Sequence, residues 1–243
     1  MGRAHEVRKV AMMKTSLMKS KIYSRFGKEI YMAAKTGGLE PDTNLALKKI
    51  IEKAKAAQVP GDVIKRNIDK AKGGGGEDFF PVRYEGFGPG GSTLIVEAMT
   101  DNVNRTFGEV RACFTKIGAK LGVTGSVIHQ YQYVSMIVFE GWSEDEALEA
   151  IMEAECEVND ISTEDGLVTI IGPSSQLDQI KEALLAKNPE LEVLIEKVTY
   201  LPNEYVTLDE SDIQKFHRFI AMTDELDDVQ EVFHNIQLPI IEE

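Results

Sequence analysis

Four consecutive glycines, Gly73 to Gly76, end any helix that reaches them and leave a hinge with almost no conformational preference of its own. They also divide the charge. Residues 1–76 hold 17 Lys/Arg against 7 Asp/Glu, a net of +10, whereas residues 77–243 hold 10 against 33, a net of −23. The overall −13 thus hides a cationic head on an anionic body, the pattern of a chain in which one module meets a polyanion and the rest does something else. Residues 1–76 are therefore expected to form a basic helical domain ending at the hinge.

Within the head, Ile22, Tyr23, Phe26, Ile30, Ala33 and Ala34 recur at helical spacing and stop at Thr36-Gly37-Gly38. A second helix carries Leu45, Leu47, Ile50, Ile51, Ala54 and Ala57 inward and ends before Pro60. A third, over residues 61–72, buries Val63, Ile64, Ile68 and Ala71. Three short amphipathic helices with short connections predict a small bundle. Lys14, Lys21, Arg25 and Lys28 fall on one stripe of the first helix, about 120° from its apolar face at 100° per residue. Together with Arg8, Lys9 and Lys19 they are the candidate phosphate contacts, since counterion release needs cations and no base reading. No zinc-finger spacing, heptad-backed basic region or clear helix-turn-helix signature is present.

Past the hinge, residues 92–100 read as a strand and residues 103–117 as a helix with Val103, Phe107, Val110, Phe114 and Ile117 inward. Residues 126–134 read as a second strand. Residues 135–140, 143–155, 157–162, 167–171, 174–187 and 192–200 then spell β-α-β-β-α-β, the ferredoxin-like order. A short strand at 205–207, a helix over about 209–226 and a strand over 229–235 supply the half that the first β-α-β unit lacks. The expected class is α+β: an N-terminal three-helix bundle followed by two ferredoxin-like domains, one inserted in the other. Residues 77–133 with 202–243 form the discontinuous domain and 134–201 the insert. Residues 130–201 carry 3 Lys/Arg against 16 Asp/Glu, and 135–141 lack the aromatic and basic signature of an RNA-recognition strand. The acidic domains suit a protein partner or a small ligand better than phosphate.

Gly86-Phe87-Gly88-Pro89-Gly90-Gly91 satisfies G-x-G-x-x-G literally but precedes a strand instead of opening a helix, and Pro89 removes an N–H that a phosphate cradle would use. It reads as a rigid turn presenting Arg83 and Tyr84. In Thr100-Asp101-Asn102-Val103-Asn104-Arg105-Thr106, Asp101 or Asn102 can cap the helix that follows. Asn104 and Arg105 remain over. With Arg83 and Tyr84 they make either a candidate polar contact site or a network that braces the domain.

The four histidines share no metal-ligand spacing, and neither a G-x-S-x-G elbow nor a Walker loop occurs, so the chain reads as non-enzymatic, with no cofactor and no metal. Cys113 and Cys156 stand far apart without a C-x-x-C, and Cys113 reads as a core residue. No apolar stretch reaches the roughly 18 residues of a membrane span, and no secretory signal is seen, so a cytoplasmic protein without a membrane partner is expected.

Ser20-Lys21-Ile22-Tyr23, the run Arg83-Tyr84-Glu85 into the glycine turn, Thr100 to Thr106 and Gly125-Ser126-Val127 together resemble the YebC/PmpR family over essentially the whole chain. The resemblance implies three domains, a helical one and two α+β domains with one inserted, and a regulator without catalytic residues. It also implies a nucleic-acid partner, DNA for members described as transcriptional regulators and ribosomal RNA for ribosome-associated members that assist elongation through proline runs. Mitochondrial members are translational activators. The family's usual Trp near the start is missing from Met1-Gly2-Arg3-Ala4-His5-Glu6-Val7-Arg8, so no contact assigned to it carries over.

Overall fold

The computed structural model describes Arg8, residues 19–73 and residues 78–238, with the side chains of residues 19 and 20 excepted. Along the chain run α1 (Lys19–Gly37), α2 (Leu45–Ala56), α3 (Gly61–Lys72), β1 (Phe80–Phe87), β2 (Thr93–Thr100), α4 (Val103–Lys116) and β3 (Lys120–Leu121). Then come β4 (Tyr131–Glu140), α5 (Glu144–Glu153), β5 (Asp160–Glu164), β6 (Leu167–Pro173), α6 (Leu177–Lys187), β7 (Val193–Pro202) and β8 (Val206–Thr207). The described chain closes with α7 (Glu210–Asp224), β9 (Val229–His234) and β10 (Ile236–Gln237). Two compact units result: residues 19–73 and 78–126 with 208–234, and residues 127–207 with Arg8 and 235–238.

In the first unit the three helices form as their periodicity predicts. Ile30, Ala34, Leu47, Ile51, Ala54, Val59 and Ile64 make their shared core. Asn44 fixes the turn between α1 and α2, because its Oδ1 accepts the Leu47 N–H at 3.1 Å while its amide donates to Ala33 O and Gly38 O, both at 2.8 Å. Gly27 is where α1 and α3 approach: a Cβ there would meet the Asn67 side chain at 2.9 Å. The same unit holds an antiparallel sheet of order β3-β1-β2-β9. Helices α4 and α7 cover one of its faces, with Phe114 edge-on to Phe219 at 4.8 Å. Gly86 lies under this layer, where any Cβ would stand 2.4 Å from the Phe114 ring. Cys113 is buried there as a packing residue.

In the second unit the sheet order is β5-β6-β4-β7, all antiparallel, with α5 and α6 packed on one face through Ile137, Phe139, Ile151, Val168, Ile180 and Leu184. This is the ferredoxin-like arrangement expected for the insert. The second face of β4, β6 and β7 is also apolar and buried, through Val134, Met136, Val138, Ile171 and Ile195.

Both sheets share one spatial plan. Numbering the ferredoxin-like strands 1 to 4 by chain order gives 2-3-1-4 for β5-β6-β4-β7, and β3-β1-β2-β9 fits the same plan with β1 in the third strand's place. The first sheet is thus a permuted version of the second, its third strand supplied from upstream as a hairpin with β2.

Three expectations are corrected here. Gly86 and Phe87 belong to strand β1 and not to the turn, which is confined to 88–92, where Gly90 (φ 61°) and Gly91 (φ 77°) take left-handed conformations. Residues 126–134 are not a strand of the first sheet. Residues 128–130 form a short helical turn, and 131–140 are one continuous strand of the insert, β4. Residues 134–139 are buried on both faces, so the alternation that marks a strand boundary is absent, and no turn residue breaks the run. Finally, Val103 and Phe107 point outward, each 43% exposed, because α4 buries the stripe through Thr106, Val110, Cys113 and Phe114.

Candidate nucleic-acid interface

The described part of the predicted stripe, Lys21, Arg25 and Lys28, faces carboxylates. Lys21 Nζ donates to Thr223 O and to Asp224 Oδ1, both at 3.1 Å, at the C-terminal end of α7, where carbonyls and helix dipole favour a cation. Arg25 bonds Glu29 at 2.9 Å and approaches Glu231 at 3.6 Å. Glu231 lies directly opposite Glu97 in the β2–β9 register, a like-charge pair that needs a counterion, and Arg25 supplies it. Lys28 Nζ donates to Met99 O at 3.1 Å, Asp227 O at 2.9 Å and Asp228 Oδ1 at 2.9 Å, which saturates its three N–H groups.

Asp228 is the centre of this arrangement. Its other oxygen, Oδ2, accepts from Arg105 at 2.6 Å, Thr106 at 2.8 Å and Thr100 at 2.9 Å, while its backbone O accepts the Met99 N–H at 2.8 Å. Burial opposes ionisation, but the hydrogen bonds from Lys28, Arg105, Thr106 and Thr100 outweigh it and hold the carboxyl far below the usual carboxylate range. The bonds to Asp228, and then to Asp101 at 2.7 Å, raise the Arg105 guanidinium in turn. Asn102 caps α4 by accepting the Arg105 N–H at 3.1 Å. The motif from Thr100 to Thr106 is therefore built around an aspartate more than a hundred residues downstream.

The remaining sequence candidates separate. Tyr84 faces α4, where its hydroxyl lies 3.5 Å from Val103 O and its ring meets Phe107; burial, then the Asp228 charge, raises its pKa. Strand alternation sends Arg83 to the other face, 3.4 Å from the buried Glu85, whose Oε1 accepts the Gly125 N–H at 3.0 Å. Asn104 is exposed on α4. Arg8 is 4% exposed in the second unit, beside Thr169, Glu164 and Asp165 of the β5–β6 hairpin. Lys9, Lys14 and the Lys19 side chain lie outside the described residues.

What the sequence reading missed is the other cationic surface. On α2 and α3, Lys48, Lys55, Lys65, Arg66, Lys70 and Lys72 are exposed, and among the described residues none of them pairs with a carboxylate. Between α1 and α3 runs a groove of about 460 Å³. Tyr23, Gly27 and Tyr31 form its α1 wall at four-residue spacing, Val63, Arg66, Asn67 and Lys70 its α3 wall, and Phe79 its end. That aromatic-Gly-aromatic ridge was the available signal.

Comparison with known proteins matches the same span. Residues 3–74 match the family model of the TACO1/YebC protein N-terminal domain, and residues 79–236 that of the TACO1/YebC second and third domain. A protein of Vibrio vulnificus named "probable transcriptional regulatory protein" is 50% identical over 98% of this chain and its own full length. One of the same name from Alcanivorax borkumensis is 49% identical with the same coverage. The crystal structure of a conserved hypothetical protein from Aquifex aeolicus, 34% identical, superposes with a TM-score of 0.77 over 95% of this chain and 96% of that one. The chain belongs to the TACO1/YebC family.

Proposed function

We propose that this protein is a non-enzymatic nucleic-acid-binding regulator that acts on transcription through DNA. The observation that carries this reading is the exposed cation set Lys48, Lys55, Lys65, Arg66, Lys70 and Lys72, which pairs with no carboxylate among the described residues, in a head of net +10 attached to a body of −23. Phosphate contact falls to these residues, while Lys21, Arg25 and Lys28 hold α1 to the acidic edge of its own unit. The names of the relatives support the regulatory role. The test is fluorescence anisotropy with duplex DNA across a salt series. Binding that weakens linearly in log-log form is expected, and the absence of salt-dependent binding to any nucleic acid overturns the proposal.

A second reading, contact with ribosomal RNA in support of translation, is favoured by the aromatic wall of the α1–α3 groove, which suits unpaired bases. Sedimentation from gently lysed cells separates the two. Co-migration with ribosomal particles that RNase abolishes selects translation, and retention at the top of the gradient selects DNA.

A further inference from the structure

We infer that the groove between α1 and α3 receives one unpaired nucleotide, its base against Phe79 and Tyr23 and its phosphate between Arg66 and Lys70. This rests on the nucleic-acid reading above and names the ligand class.

Two of the groove's three aromatic rings, Phe79 and Tyr31, have cations over them. Lys28 Nζ stands 5.3 Å from the Phe79 centroid, and Lys70 and Lys35 stand 5.4 and 5.6 Å from that of Tyr31. Tyr31 and Phe79 meet edge to face at 5.9 Å and 90°, so the two rings brace each other at the end of the groove. Rings flanked by cations give the groove the π-rich, electropositive lining that a base and its phosphate together require.

The three lysines differ in what else holds them. Lys28 is fixed by Asp228, and Lys35 pairs with Asp78 at 2.6 Å. Lys70 has no carboxylate partner among the described residues, so it can turn from the ring to a phosphate as a base enters. Arg66 lies one turn away on the same face of α3, about 5–6 Å between Cβ atoms, close enough for both to hold one phosphate. Tyr23 and Phe79 are partly exposed, which gives a base an edge to stack on without unfolding the bundle. In a duplex each base is stacked and paired, so only an unpaired one fits this site.

The test uses the full chain and a labelled single strand, prepared as RNA and as DNA, beside the matching DNA duplex at one salt concentration. Phe79→Leu keeps apolar bulk but removes the ring, and together with Tyr23→Ala it is expected to weaken single-strand binding about tenfold or more while leaving duplex binding within about twofold. Tyr23→Phe keeps the ring and should bind like the parent, and Arg66→Ala with Lys70→Ala should weaken both ligands. A larger loss with RNA than with DNA assigns the site to RNA; equal losses assign it to either strand. Unchanged single-strand binding by a Phe79→Leu/Tyr23→Ala variant with the parent's urea midpoint overturns the inference and leaves the nucleic-acid reading standing. If the parent itself binds no nucleic acid, both fall.

Discussion

The lysines of α1 and those of α2 and α3 come from one basic head, yet the fold treats them differently. Lys21, Arg25 and Lys28 meet Asp224, Glu231 and Asp228, while Lys48, Lys55 and Lys65 meet solvent. A helical stripe of cations is the same sequence pattern whether it faces phosphate or a carboxylate two hundred residues away. What decides is the long-range topology, and with it whether a given cation stabilises the fold or remains available to a partner.

The largest effect that would break this contrast is at Asp228. With Lys28 and Asp228 only 13% and 8% exposed, Asp228→Ala strands Lys28 in a poorly solvated site and should cost about 3–5 kcal/mol in urea unfolding. A loss below about 1 kcal/mol would return Lys28 to the set of phosphate contacts. On the other surface, Lys48→Glu, Lys55→Glu and Lys65→Glu combined should reduce affinity for duplex DNA and take about 0.9 off the log-log salt slope per lost contact. Their stability should stay within about 0.5 kcal/mol of the parent. Lys21→Glu, Arg25→Glu and Lys28→Glu combined should instead lower the unfolding midpoint first; a triple variant with parental stability and lost binding would reverse the assignment.

Acid titration sharpens the same contrast. The folded value of Asp228 lies below its unfolded value, so its contribution is complete above the unfolded pKa of about 3.9 and is lost as pH falls below it. Urea unfolding should therefore weaken more steeply below about pH 4 in the parent than in Asp228→Asn, and identical slopes would remove Asp228 as the acid-sensitive group. The smallest effect is at Arg25, half-exposed over the Glu97 and Glu231 pair. Arg25→Ala should cost about 1 kcal/mol, more at low salt than at high, and no salt dependence would mean that Glu97 and Glu231 do not need it.

The parts of the fold legible in the sequence were those with a single buried face. The helices α1 to α3 and α7 and the βαββαβ order of the insert follow from periodicity and from breakers such as Pro60. Strand β4 was cut in two because both its faces are buried, and β1 was missed because Arg83-Tyr84-Glu85-Gly86 has little apolar alternation. At the site, the motif from Thr100 to Thr106 was legible as a helix cap, and a bracing network was one of the two roles open to Arg105. Its hub was not, since nothing local to Asp228 distinguishes it from Asp224 or Asp227. The groove stayed hidden because Tyr31, Arg66 and Phe79 come from three separate segments.

The distance between α1 and its acidic partners also has a meaning in time. Lys21 and Asp224 are 203 positions apart, and Leu94 of β2 pairs with His234 of β9 only after the whole inserted domain has been made. At roughly 5–20 residues per second, the basic helix waits about 10–40 s during synthesis before the carboxylates that neutralise it emerge. For that interval the nascent chain presents Lys21, Arg25 and Lys28 beside the translating ribosome, and only the completed protein gives them their distant carboxylates.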